Sequence, residues 1–127
     1  MSTGLLLISH PGIASNLLDT AVTMLGRSSM EIEILEVPFD AAVEKIKLQV
    51  KQCILKLDHG DGVLILTDLY GATPCNIGHN QMTSTTRLVA GLNLSMLLRV
   101  LNYPQLSLEG LAHKAVSGGH DGILLCE

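Results

Sequence analysis

This sequence predicts an α/β fold built on a doubly wound, mostly parallel sheet, and three observations predict it. Leu5–Ile8 and Val63–Leu66 are apolar at every position, as strands covered on both faces are. Helical apolar spacing follows each strand-like run, so the elements alternate β-α-β-α-β-α-β. The chain has 127 residues, 47% hydrophobic, with one Phe, two Tyr and no Trp, which calls for one aliphatic core and a single domain over 1–127.

The elements follow in order. Gly4–Ser9 is the first strand. Ile13, Leu17, Leu18, Ala21, Val22 and Leu25 recur at helical spacing, and Gly26 suits a helix C-cap. Glu31–Val37 alternates acidic and apolar residues, as a strand nearer an edge does, and Pro38 closes it. Asp40 is the expected N-cap of a helix running to Leu57, with Lys45, Lys47, Lys51 and Lys56 on its solvated face.

Val63–Thr67 is the third strand, after the turn cluster Asp58-His59-Gly60-Asp61-Gly62. Thr73-Pro74 reads as N-cap and N1 of a short helix. Arg87–Leu92 is the fourth strand, and Asn93 caps a helix over Ser95–Leu101, broken at Tyr103-Pro104. Ser107–Val116 is a further helix, expected to stop at Ser117-Gly118-Gly119. Gly122–Cys126 is a short last strand, antiparallel or exchanged with another subunit.

Composition excludes several function classes. A net charge of −4 and scarce aromatics give neither a basic footprint nor a stacking surface for nucleic acid. Cys53, Cys75 and Cys126 are odd in number and widely spaced, so they read as reduced thiols. With no His-x-x-x-His pair or His/Cys cluster, no metal site is expected, and no Walker A or Rossmann glycine fingerprint implies a cofactor. The N-terminal apolar run lacks a basic flank and no segment reaches membrane-span length, so a cytoplasmic protein is expected.

His10 and Asp68 carry the chemistry. Each stands at the carboxyl end of a buried strand. In the flavodoxin-like order 2-1-3-4, the first and third strands are neighbours and the gap between them is the topological switch point, where ligands gather. A carboxylate there can accept from one imidazole nitrogen and leave the other bare to attack. Helix N-termini after His10 and after Thr73 would offer amides to an anion. Thr73 adds a hydroxyl, and Gly71 permits close backbone approach. The pattern points to phosphoryl transfer onto His10.

Three blocks of the chain resemble a known family. Leu5–Ile8 with Ser9-His10-Pro11-Gly12, Leu66–Asn76, and Ala90–Leu97 are similar, in order and spacing, to the IIA component of the mannose family of the bacterial phosphoenolpyruvate-dependent sugar phosphotransferase system. The resemblance covers nearly the whole chain. It implies a phosphotransferase component whose His10 accepts a phosphoryl group from HPr and passes it to a IIB protein. Asp68 would hold the imidazole, and Gly71, Ala72 and Thr73 would surround the phosphate. Thr73 stands where many members have Ser, and Ala72 where Gly is common.

The resemblance also implies four parallel strands plus an antiparallel fifth, commonly exchanged within a homodimer. The acceptor would be a separate IIB protein, with association to a membrane permease complex through it rather than by insertion. Two alternatives share the histidine chemistry. One is the phosphodonor subunit of a dihydroxyacetone kinase, and the other is a regulatory module switched by His10 phosphorylation.

Overall fold

The computed structural model describes residues 2–127. In chain order its elements are β1 (Gly4–Ser9), α1 (Ala14–Leu25), β2 (Ile32–Glu36), α2 (Val43–Leu57), β3 (Val63–Thr67), α3 (Thr73–Asn80), β4 (Thr86–Ala90), α4 (Leu94–Leu101) and α5 (Leu108–Asp121). The four strands form one sheet in the order β2-β1-β3-β4, every pairing parallel. The predicted order is the observed one. β1 and β3 are paired, with Ile8 opposite Thr67 at their carboxyl ends, so the residues that follow both strands emerge side by side.

Every residue of β1 and β3 is buried, and alternate side chains feed two cores. Leu5, Leu7, Leu64 and Leu66 pack against Ala14 and Ala21 of α1 and against α4 and α5. Leu6, Ile8, Val63 and Ile65 pack against α2 and against Ile77 of α3. Crossovers of one hand produce this arrangement: the chain moves from β1 outward to β2, then reverses past β1 to β3, so its helices change face at that reversal.

Local cap chemistry was legible at several ends. Gly26 ends α1 at φ 83°, the left-handed conformation that favours glycine. Asn93 caps α4 by accepting from the Met96 amide. Ser107, expected as the first helical residue, is instead the N-cap of α5 and accepts from the Gly110 amide.

Elsewhere the structure corrects the expected bounds. Asp40 does not cap α2, which begins at Val43 after an extended Ala42 with no side-chain cap. Thr73 is the first residue of α3 rather than its cap, which is Ala72. α5 does not stop at Ser117-Gly118-Gly119 but runs through to Asp121. Those glycines are where α5 lies against α4: a Cβ on Gly118 would sit 2.5 Å from Arg99 Cβ, and one on Gly119 3.0 Å from Met96 Cε. Close helix packing, not a helix stop, accounts for them.

Among the described residues the expected fifth strand is absent. Residues 123–127 leave α5 without secondary structure, and Ile123, Leu124 and Leu125 are exposed. Cys75 is buried, Cys53 half-buried and Cys126 exposed, all three as free thiols. Among the described residues, no helix is long and apolar enough to cross a membrane.

Candidate functional site

His10 and Asp68 meet at the β1/β3 switch point. The turn after β1 carries His10 and the turn after β3 carries Asp68, so parallel pairing of the strands brings together residues 58 apart in sequence. His10 Nδ1 lies 2.7 Å from Asp68 Oδ2, and the His10 backbone amide donates to the same oxygen at 2.9 Å. The imidazole is 23% exposed and the carboxylate 7%.

Burial pushes the Asp68 carboxyl up. The backbone amide of His10, its ring nitrogen and its charge pull the other way and leave the group below the usual aspartate range. Asp68 Oδ1 is buried without a hydrogen-bond partner, so among the described residues the imidazole is the only side chain bonded to this carboxylate. An ionised carboxylate at this position accepts a hydrogen bond from Nδ1–H, and in that tautomer the lone pair lies on Nε2.

The turn holding His10 is braced on both sides. Ser9 is fully buried; its hydroxyl donates to the His10 carbonyl at 2.7 Å and accepts from the Ala14 amide at 2.9 Å, linking strand end to helix start. Glu36, at the end of β2, accepts from the Gly12 amide (2.9 Å), the Ser15 amide (2.9 Å) and the Ser15 hydroxyl (2.6 Å). The Ser15 hydroxyl, then the two amides, holds its carboxyl below the usual glutamate range. A carboxylate over a helix N-terminus is the favoured sign for the helix dipole.

This changes the expected phosphate cradle. The amides of Gly12 and Ser15 are engaged by Glu36 and that of Ala14 by Ser9, so the start of α1 already has its acceptors. The other expected donor, the start of α3, is more open. The Ala72 amide closes a turn onto the Leu69 carbonyl at 3.2 Å, whereas Thr73 is exposed and its hydroxyl makes no cap hydrogen bond. Gly71 adopts φ 83°, and its carbonyl accepts from Asn76 Nδ2 at 3.1 Å, fixing the loop that leads into α3. His10 and Thr73 share a cleft of about 130 Å³, walled on the other side by Val37, Pro38 and Phe39.

Glu36 and Phe39 are the site residues that sequence reasoning missed. Period two puts Glu36 on the strand face of Ile32 and Ile34, opposite Glu31 and Glu33, and its partners lie 24 and 21 residues away in sequence. No local motif signals such a contact. Replacing Glu36 by Ala is expected to cost about 1 kcal/mol, as loss of a helix cap does, read as a lower denaturant midpoint at pH 7. Because the folded-state pKa is depressed, this stabilisation is present above the ordinary glutamate range and disappears as pH falls through the lowered value. Glu36→Gln should lack that part of the acid dependence; midpoints matching the parent protein at every pH would contradict the role.

Among the described residues no group of His, Cys, Asp and Glu is arranged to hold a metal ion. The arrangement instead sets an imidazole nitrogen against a largely buried carboxylate, with Thr73 lining the same small cleft.

Residues 4–116 match the family model described as PTS system fructose IIA component. Among solved structures, the chain is similar to the mannose/sorbose-specific IIA subunit of the phosphotransferase system from Enterococcus faecalis, at 24% identity and TM-score 0.89, covering 100% of this chain and 96% of that one. It is also similar to the PTS IIA protein associated with the fucose utilization operon from Streptococcus pneumoniae, at 25% identity and TM-score 0.76, covering 92% and 93%. The phosphotransferase system component EIIA from Streptococcus agalactiae aligns at 20% identity and TM-score 0.81, covering 96% and 95%. No curated protein matches the chain by sequence.

Proposed function

The chain belongs to the IIA family of the sugar phosphotransferase system described as the fructose IIA component, and on that footing we propose that His10 is its phosphoryl-accepting nucleophile. The observation that carries this reading is the 2.7 Å contact between His10 Nδ1 and Asp68 Oδ2, which leaves Nε2 as the free ring nitrogen beside the cleft shared with Thr73.

The step balances without a cofactor. The Nε2 lone pair attacks the phosphorus of phosphorylated HPr in line. The donor P–N bond breaks and its electron pair returns to the donor ring. Nδ1 keeps its proton, so the His10 ring gains positive charge as the new N–P bond forms, and that charge faces the Asp68 carboxylate. Catalysis is then positioning and charge stabilisation. Thr73 donates its hydroxyl to the phosphoryl oxygens, aided by Gly71 in the loop before α3. The cleft walls beside the imidazole limit access of water.

The onward acceptor is a IIB protein, and the cytoplasm is where both exchanges take place. Draining labelled phosphate from the protein onto a purified IIB protein supports this reading. Transfer to a dihydroxyacetone kinase subunit instead would overturn it.

A homodimer belongs to the same proposal. Ile123, Leu124 and Leu125 are three consecutive exposed apolar residues, a strand-like segment that finds no cover among the described residues. The full chain is expected to sediment as a dimer and a variant lacking 123–127 as a monomer. A full chain that sediments as a monomer at micromolar concentration would contradict this.

A further inference from the structure

We propose that Phe39 is a positioning residue for His10, covering one flank of the imidazole and favouring the charge it gains on phosphorylation. The shielding claim stands on geometry alone; the charge claim rests on the reading of His10 as phosphoryl acceptor.

Phe39 is the only phenylalanine in the chain, and it is 86% exposed. It belongs to neither core, so burial does not account for its position. Its ring centroid lies 5.4 Å from that of His10, with the planes tilted by 30°. That separation is within the range of aromatic pairs in contact.

The backbone holds it there. The Val37 amide donates to the Ser9 carbonyl at 2.8 Å, extending the β1–β2 pairing by one residue, and Val37 is buried. Pro38 then fixes the turn, which the Ala41 amide closes onto the Pro38 carbonyl at 3.1 Å. Phe39 therefore projects from a turn tied directly to the strand that carries the histidine.

Two consequences follow from the contact. Asp68 holds the Nδ1 edge of the ring and Phe39 packs beside it, so rotation of the imidazole is opposed from two directions. While Nδ1 keeps its proton the ring of the phosphorylated histidine is positive, although the attached phosphoryl group makes the whole residue anionic; a positive ring within about 6 Å of a phenyl centroid is attracted by its quadrupole, by at most about 0.5–1 kcal/mol at an exposed site. That energy corresponds to a two- to fivefold bias in phosphoryl partition towards this protein.

Carbethoxylation by diethyl pyrocarbonate, mapped by mass spectrometry, tests the shielding. His59, His79, His113 and His120 serve as internal references. Phe39→Ala should raise the His10 rate severalfold and leave the other four unchanged, and Phe39→Leu should restore most of the protection. An unchanged His10 rate, or a rise shared by all five histidines, would overturn the proposal. In a second arm, phosphoryl partition between HPr and this protein should move towards HPr about two- to fivefold in Phe39→Leu and return in Phe39→Tyr. If the parent protein takes no phosphate at all, the phosphocarrier reading fails while carbethoxylation still decides whether Phe39 shields His10.

Discussion

Replacing His10 by Ala is expected to abolish phosphoryl acceptance from phosphoenolpyruvate, Enzyme I and HPr while leaving the protein folded. No other histidine has the same constellation. His59 pairs with Glu31 and His113 with Glu109 on exposed surfaces, away from the β1/β3 switch point. The cost to stability should be small. The ring is partly exposed, and Asp68 Oδ2 keeps the His10 backbone amide as a donor at 2.9 Å. Loss of the ring hydrogen bond from a largely buried carboxylate is expected to cost about 1–3 kcal/mol. Acid-labile label measured beside circular dichroism checks both halves. Label retained in a folded His10→Ala protein would place the acceptor elsewhere.

Replacing Asp68 by Asn is the second large effect. Asn preserves the shape, but the His10 amide and Nδ1 meet the same oxygen, Oδ2. With its oxygen there, Asn accepts from both as a neutral group; with its NH2 there, it faces the backbone N–H and donates to Nδ1, which puts the proton on Nε2 and removes the lone pair that must attack. It also removes the negative charge facing the developing imidazolium. The same substitution behind the histidine of a serine protease costs about 10⁴ in rate, and orientation with proton control generally contributes about 10²–10⁴. A transfer rate lower by about 10²-fold or more is expected, measured by rapid quench from phosphorylated HPr. A rate within about tenfold of the parent would show that the carboxylate is not needed to orient the ring.

The same carboxylate leaves a signature in stability. Its folded-state pKa lies below the ordinary aspartate range despite burial, because the His10 amide, ring and charge favour the ionised form. Its contribution is therefore fully present above the unfolded-state value near 3.9 and is lost as pH falls through the depressed folded value. Asp68→Asn should flatten acid unfolding in that window.

Much of this site was legible because its two principal residues sit where apolar runs end. Leu5–Ile8 and Val63–Leu66 mark buried strands by composition alone, and the flavodoxin-like order expected for such alternating elements is the one observed, β2-β1-β3-β4. His10 and Asp68 then meet without any local motif. Gly26 and Asn93 were legible because capping is settled within a few residues.

What escaped the sequence is set by contacts across the fold. Gly118 and Gly119 have the composition of a helix stop, yet α5 continues because its neighbour α4 requires their missing side chains. Asp40 has the right chemistry for a cap, but α2 starts only at Val43. Glu36 and Phe39 act on the His10 turn from a neighbouring strand end, and neither their spacing nor their type announces it. Among the described residues, 123–127 pair with no strand and carry no secondary structure.

The most direct measurement is the position of phosphate on the His10 ring. The protein, phosphorylated through Enzyme I and HPr, is examined by ³¹P NMR against Nδ1- and Nε2-phosphohistidine standards. With Nδ1 held by Asp68, the phosphate must appear on Nε2 alone. Phosphate on Nδ1 would mean that the carboxylate does not occupy that nitrogen during transfer, and would contradict the account at its root.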